Sequence, residues 1–129
     1  MIELPHLQRN LRSVLVVDDE PLIRLYVVSC FEEEGFTVFE AESADRAIVM
    51  LEENPVISVV VTDVQMPGSL DGLMLAHVVR KRWPPTILIV MSGAVEPGDG
   101  ELPSKASFFH KPIDFPVVIK EIERIAAIG

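Results

Sequence analysis

The stretch Val56-Ile57-Ser58-Val59-Val60-Val61-Thr62-Asp63 decides how this chain folds. Its first seven residues, 56–62, are almost all apolar or β-branched, which predicts a strand buried on both faces of a parallel sheet. The strand leads directly into Asp63, and a carboxylate at the tip of a buried strand is costly unless a partner needs it. Proline and glycine in residues 64–72 predict a loop at that point.

Four further runs predict strands. Val14–Val17 and Thr86–Met91 are continuously apolar or nearly so, as central strands are, while Thr37–Ala41 is less apolar and is predicted at a sheet edge. Ser107–His110 predicts a short last strand.

Apolar residues at helical spacing separate these strands. Helices are predicted from Pro21 to a stop at Gly35, from an N-cap at Ser43 to Asn54-Pro55, from Gly72 to Trp83, and after an N-cap at Asp114. The alternation also requires a helix within Ala94–Lys105. Two prolines and two glycines in that segment permit only a short or distorted one.

Five β-α repeats indicate an α/β fold in which helices cover both faces of a five-stranded parallel sheet. Residues 1–12 have no clear periodicity and are predicted to form a short N-terminal arm. Residues 13–129 are predicted to form one domain, with no second domain after it.

Composition excludes several classes of protein. The chain has 129 residues, 49% of them hydrophobic, and a formal net charge of -9, so it is globular and repels nucleic-acid backbones. The N-terminus lacks a secretory pattern, and no apolar stretch approaches the length of a membrane span. The expectation is a soluble cytoplasmic protein that binds neither nucleic acid nor membrane.

Polar residues follow four of the five predicted strands. In an open α/β sheet, ligands bind outside the carboxyl ends of the strands, so these side chains should converge. They are Asp18, Asp19, Asp63, Ser92 and Lys111.

Three clustered carboxylates repel one another unless a cation compensates, and their hard oxygen atoms suit Mg²⁺. A bound Mg²⁺ would attract phosphate oxygens, and Lys111 and Ser92 could hold a phosphoryl group. Asp63, central in the set, is then placed as a nucleophile towards phosphorus.

The chain resembles the receiver domain of bacterial two-component response regulators, in the style of the stand-alone chemotaxis regulator. The resemblance covers residues 13–128. The motifs that carry it are Leu15-Val16-Val17-Asp18-Asp19-Glu20, Thr62-Asp63-Val64-Gln65-Met66-Pro67, Asp71-Gly72, Met91-Ser92-Gly93 and Phe108-Phe109-His110-Lys111-Pro112-Ile113. It implies a flavodoxin-like (βα)5 fold with strand order 2-1-3-4-5.

The resemblance also implies a role for each site residue. Asp63 would be the phosphoacceptor, and Asp19, Asp63 and the Gln65 main-chain carbonyl would bind Mg²⁺ directly. Asp18 would act mostly through a coordinated water.

Ser92 and Lys111 would hold the phosphoryl group. Phe108 would be the switch aromatic, which lacks a hydroxyl in this chain, so any switch must act through burial alone.

Two departures from the family pattern stand out. Gly68-Ser69-Leu70 is one residue longer than the usual spacing before Asp71, and the interval from Ser92 to Lys111 is about three residues shorter than usual. The second change shortens the helix on the family's dimer face, so a monomer or a weak homodimer is expected.

The function expected from this resemblance is that of a single-domain response regulator. It would accept phosphate from a sensor histidine kinase or a phosphotransfer protein, and then bind a downstream protein or relay the phosphate. One alternative is an aspartyl-nucleophile phosphohydrolase, although Gln65 stands where such enzymes carry a second acid. Another is a scaffold that keeps the fold without being phosphorylated.

Overall fold

The computed structural model describes residues 12–66, 71–93, 97–98 and 100–128. The predicted N-terminal arm lies outside this part of the chain except for Arg12, as does the 68–70 insertion. The strands are β1 (Ser13–Val17), β2 (Thr37–Ala41), β3 (Val59–Asp63), β4 (Ile87–Ser92) and β5 (Ala106–His110). The helices are α1 (Pro21–Glu33), α2 (Ala44–Glu53), α3 (Gly72–Arg82) and α4 (Phe115–Ile128).

All strand pairs are parallel, and the order across the sheet is β2-β1-β3-β4-β5. This confirms the predicted α/β class, the strand order and the edge position of β2. The three central strands β1, β3 and β4 are buried at every position, as their continuous apolar sequences predict.

The sheet has a separate hydrophobic core on each face, because successive strand residues point to opposite sides. Val14 and Val16 face the α1/α4 core, where Phe31 and Val118 pack. Leu15 of the same strand faces the α2/α3 core. Five strands covered on both faces hold the ends of β1, β3 and β4 rigidly together.

Local signals define where two helices begin. Ser43 precedes α2 and accepts a hydrogen bond from the Arg46 amide at 3.1 Å, as the predicted N-cap requires. Asp71 caps α3 in the same way, accepting from the Met74 amide at 2.9 Å.

The strand predicted over Val56–Thr62 was wrong at its start, since β3 begins at Val59. Val56 lies in a turn and is 54% exposed. The Ile57 amide donates back to the Asn54 carbonyl at 3.1 Å. The first bond to the sheet comes from the Ser58 amide, which donates to the carbonyl of Ser13 in β1 at 2.9 Å. Apolar composition alone could not separate the turn from the strand.

The repeating pattern predicts five helices, and the described residues contain four. In the connection between β4 and β5, residues 100–101 and 104–105 form turns, and the other described residues have no helical structure, in place of the short or distorted helix expected. Residues 94–96 and 99 lie outside the described part. Gly100 and Lys105 have positive φ angles of 82° and 60°, which a right-handed helix does not allow. Arg80 of α3 holds this segment, donating to the Ser104 carbonyl at 2.7 Å and the Lys105 carbonyl at 3.1 Å.

Candidate functional site

The acids predicted from the sequence lie at the ends of two adjacent strands. Val17 pairs with Thr62 in the parallel register of β1 and β3, so the residues that follow, Asp18 and Asp63, come side by side. Asp19 lies next along the turn into α1. Each of the three carboxylates offers an oxygen within 4.8 Å of the others.

Asp18 has one satisfied and one unsatisfied carboxylate oxygen. Its side chain is fully buried, and its Oδ1 accepts a hydrogen bond from the Glu20 amide at 2.9 Å. Within the described residues, Oδ2 is buried and has no hydrogen-bond partner. Since an unpartnered buried carboxylate oxygen is costly, this atom is available to a cation.

Lys111 supplies a positive charge between two of the acids. Its Nζ lies 3.2 Å from Asp63 Oδ1 and 3.6 Å from Asp18 Oδ2, the second distance being too long for a hydrogen bond. No other described lysine or arginine pairs with these three carboxylates. When all four groups are ionised, they carry a net charge of about -2, which a divalent cation would neutralise.

Burial raises the pKa of the Asp63 carboxyl above its ordinary value. Lys111 opposes this through its charge and its hydrogen bond, while the negative charges of Asp18 and Asp19 add to the increase. Ionisation of Asp63 is therefore less favourable than in water. Its carboxylate is correspondingly more basic, which makes it a good ligand for a cation and a good oxygen nucleophile.

The donor set fits Mg²⁺. It consists of hard carboxylate oxygens, one of them buried without a hydrogen-bond partner, in a cluster with excess negative charge. Asp19 is more exposed than the other two acids, so the site opens to solvent on that side. This leaves room for the waters that Mg²⁺ usually retains.

Ser92 and Phe108 lie on the neighbouring strands β4 and β5. Ser92 is the last residue of β4 and is buried, and its carbonyl accepts from the Lys111 amide at 2.9 Å. Phe108 lies on β5, partly buried against the α2/α3 core, with its ring centroid 5.0 Å from that of His110. Gln65 is exposed, two residues beyond Asp63.

Sequence reasoning missed two residues that shape the site. Gly72 begins α3 so close to β3 that an added Cβ would lie 1.9 Å from the Asp63 carbonyl oxygen. Arg24 donates from Nη1 to the Asp18 carbonyl at 2.7 Å. The Asp71-Gly72 motif was a signal for the first, whereas a single arginine on a helix gave no signal for the second.

A parallel sheet in this order, with acids after β1 and β3 and a lysine after β5, defines the receiver class of signalling domains. The family described as "Response regulator receiver domain" matches residues 14–123, and the chain belongs to this family. Receiver domains are phosphoacceptor domains of two-component signal transduction, and they interact with sensor histidine kinases.

Several curated proteins are similar in sequence. A putative NtrX-like response regulator of Rickettsia bellii is 39% identical over 85 residues, which is 65% of this chain and 18% of that protein. The response regulator receiver protein CpdR of Brucella abortus is 27% identical over 119 residues, covering 89% of this chain and 97% of that one. This chain therefore spans about a fifth of the length of the NtrX-like relatives but nearly all of CpdR.

Solved structures agree on the fold. A response regulator receiver protein from Sinorhizobium medicae has a TM-score of 0.82 and 26% identity, covering 89% of this chain and 94% of that one. The response regulator TrrA from Thermotoga maritima, solved in complex with Mg²⁺ and BeF, has a TM-score of 0.79 and 26% identity, covering 88% of this chain and 98% of that one.

No helix in the described part of the chain is long and apolar enough to cross a membrane.

Proposed function

We propose that this chain is a single-domain response regulator that accepts a phosphoryl group on Asp63 in a Mg²⁺-dependent reaction. Asp19, Asp63 and the Gln65 main-chain carbonyl would bind the ion directly, and Asp18 would act mostly through a coordinated water. Ser92 and Lys111 would hold the phosphoryl oxygens, and Phe108 would respond as the switch aromatic.

The observation that carries this proposal is the contact between Lys111 and Asp63 beside an Asp18 oxygen that is buried without a hydrogen-bond partner. Lys111 offsets part of the effect of burial on the Asp63 pKa, so more of the carboxyl is ionised and able to attack. The same ammonium group lies where it can neutralise a transferred phosphoryl group. A scaffold without phosphorylation would have no need for this costly arrangement.

In the proposed reaction, an Asp63 carboxylate oxygen forms a bond to phosphorus. The bond between phosphorus and the donor's imidazole nitrogen breaks, and the electron pair stays on that nitrogen, which is neutral or takes a proton from solvent. Bound Mg²⁺ would neutralise charge on the phosphoryl oxygens during transfer. Lys111 and the Ser92 hydroxyl would then keep the phosphoryl group in place.

An exposed apolar surface on α1 lies next to the site and suits the phosphate donor. Leu22 is 80% exposed, Leu25 60% and Tyr26 59%, an unusual density of large apolar residues for so acidic a protein. A groove of about 560 Å³ continues this surface, and Lys111 is one of its walls. We assign it to the histidine-bearing domain of the kinase or phosphotransfer protein, because that histidine must reach the Asp63 carboxylate, which Lys111 contacts.

The remaining properties are part of the same proposal. We expect a cytoplasmic protein, a monomer or a weak homodimer, that signals by binding an unidentified downstream protein or by relaying its phosphate. The alignment with the receiver protein CpdR, which covers 97% of that protein, supports the role of a receiver protein for this chain. Catalysis would be limited to self-phosphorylation and slow loss of phosphate, without rapid turnover of phosphate esters.

Labelling with acetyl phosphate tests the assignment of Asp63. The wild-type chain should gain one phosphoryl group in the presence of Mg²⁺ and none in EDTA, as measured by mass spectrometry of the intact protein. Asp63→Asn should remain unlabelled, while Asp45→Asn, which changes an exposed acid on α2, should label normally. Normal labelling of Asp63→Asn would refute the proposal.

A kinase and a small phosphodonor together test the α1 surface. Leu25→Asp should slow phosphotransfer from the histidine kinase while leaving the acetyl phosphate rate unchanged, because only the kinase needs to dock. Val117→Asp is the matched control, since Val117 is a 47% exposed apolar residue on α4. Equal rates of phosphotransfer from the kinase to Leu25→Asp and Val117→Asp would exclude docking at α1.

A further inference from the structure

Arg24 links the turn that carries two of the acids to the neighbouring strand. Its guanidinium donates from Nη1 to the Asp18 main-chain carbonyl at 2.7 Å and from Nε to Glu40 Oε1 at 3.1 Å. The Arg24 side chain is 20% exposed and that of Glu40 is 52% exposed, so the arginine is the more enclosed member of the pair. One planar guanidinium on α1 therefore connects the turn after β1 with β2.

The carbonyl that Arg24 holds belongs to the peptide unit joining Asp18 to Asp19. Because a peptide unit is planar, fixing its oxygen limits the rotation of the unit and the direction in which Asp19 leaves the main chain. Asp18 is also held from its other side, where its amide donates to the Ala41 carbonyl at 3.1 Å. Asp19 is only partly buried, so its position depends more on this peptide than on packing.

We propose that Arg24 is a positioning residue for the metal-binding turn and that Glu40 orients its guanidinium. Arg24 fixes the Asp18–Asp19 peptide, and so preorganises both carboxylates for the cation. This inference rests on the proposed function, because it assumes that the acid cluster binds Mg²⁺.

Charge and position predict opposite effects when Arg24 is replaced. Removing a nearby positive charge by itself should strengthen the binding of a cation. Loosening the turn should weaken binding, and outer-shell contacts of this kind are typically worth about tenfold or more in metal affinity. The direction of the change therefore separates a positioning residue from a residue that acts only through its charge.

Isothermal titration with Mg²⁺, well below the unfolding temperature, tests the proposal. Arg24→Gln should raise the Kd about tenfold, and Arg24→Lys should also raise it, because an ammonium group cannot make both bonds in the same geometry. Glu40→Gln should raise it less. Arg82→Gln is the matched control, because Arg82 is an exposed arginine paired with Glu52 on another helix at 2.6 Å and lies away from the turn.

A second measurement separates positioning from loss of the fold. Saturating Mg²⁺ should restore acetyl phosphate labelling of Arg24→Gln towards the wild-type rate, and circular dichroism should show a wild-type spectrum. If Arg24→Gln does not fold, the same comparison is made with Arg24→Lys and Glu40→Gln. Mg²⁺ binding as tight as in the wild type, or tighter, in the folded Arg24 variants would overturn the inference. A wild-type chain that fails to bind Mg²⁺ would instead refute the proposed function.

Discussion

Replacing Gly72 with alanine would put a methyl carbon 1.9 Å from the main-chain oxygen of Asp63 and 2.7 Å from its carbonyl carbon. Non-bonded carbons are rarely closer than 3.0 Å to such atoms, so α3 or the end of β3 has to move by about 1.1 Å. Either movement strains the 2.8 Å hydrogen bond from the Gly72 amide to the Val64 carbonyl.

The destabilisation expected for Gly72→Ala is about 2 to 3 kcal/mol. Middle values of about 2 kcal/mol for overpacking and about 1 kcal/mol for a weakened hydrogen bond, less about 0.5 kcal/mol for the higher helix propensity of alanine, leave a loss of about 2.5 kcal/mol. At an unfolding entropy of about 2.1 cal/mol/K per residue, this lowers the Tm by roughly 7 to 11 °C. Because Asp63 carries the displaced carbonyl, a shift of this size could slow its phosphorylation by up to about 100-fold.

Differential scanning calorimetry and acetyl phosphate labelling measure both effects. Gly93→Ala is the control, because a Cβ at Gly93 would be 3.9 Å from its nearest neighbour, the Lys111 Cβ, although Gly93 also adjoins the site. Gly93→Ala should stay within about 1 kcal/mol of the wild type. A Tm for Gly72→Ala within about 2 °C of that of Gly93→Ala would show that the tight approach of α3 to β3 is not what requires glycine at position 72.

Three other perturbations have defined outcomes. Burial raises the Asp63 pKa, so the stability that this group contributes when protonated is lost as the pH rises through its folded pKa. In EDTA at pH 7, Asp63→Asn should therefore have a higher Tm than the wild type. The increase in Tm should be smaller near pH 4. Hydrogen bonds, the strongest from Arg124, lower the pKa of Glu121 to about 2. Glu121→Gln should therefore lower the free energy of unfolding in urea by about 1 kcal/mol at pH 7, and by less as the pH falls from 4.5 towards 2. Arg80→Ala should speed amide exchange in residues 100–105 and cost about 1 to 3 kcal/mol, because Arg80 bonds to the carbonyls of this segment.

Each of these variants has a control and an opposing result. Glu123→Gln, which changes an exposed acid on α4, should shift the Tm by no more than about 2 °C at both pH values. A Tm for Asp63→Asn below the wild type at pH 7 would contradict the expected sign of the Asp63 effect. Glu123→Gln changes an exposed acid of the same helix as Glu121, and equal losses in both variants would rule out the specific hydrogen bonds. Lys81→Ala changes the exposed neighbour of Arg80. Identical amide exchange rates for residues 100–105 in both variants would show that Arg80 does not hold this segment in place.

Much of the fold could be predicted because its signals are local. The apolar run of β4, the Ser43 cap and the inward stripe of α3 depend on residues a few positions apart, where spacing alone indicates the element. Val56 shows the limit of such reasoning. It is as apolar as the valines of β3. Only the hydrogen bonds of the next two residues, Ile57 to Asn54 and Ser58 to Ser13, show that the turn ends and the strand pairing begins after Val56.

The connection between β4 and β5 shows a different limit. Its prolines and glycines indicated that a regular helix was disfavoured, and the described residues of this segment contain turns but no helix. That Arg80 of α3 holds it could not be predicted, because the partners are 24 and 25 residues apart in the chain. Side-chain hydrogen bonds to distant carbonyls leave no periodic pattern in a sequence.

The sequence by itself determined which residues follow the buried strands, and in a parallel sheet that order brings Asp18, Asp19, Asp63, Ser92 and Lys111 to one edge. It also determined the family, through the motifs around those strand ends. Only the tertiary structure decided the electrostatics: the buried Asp18 oxygen without a hydrogen-bond partner, the 3.2 Å contact of Lys111 with Asp63, and the bond from Arg24 to the Asp18 carbonyl. Burial, distance and hydrogen-bond direction depend on elements far apart in the chain, and they decide which carboxylate oxygens are paired and which one is left for a cation.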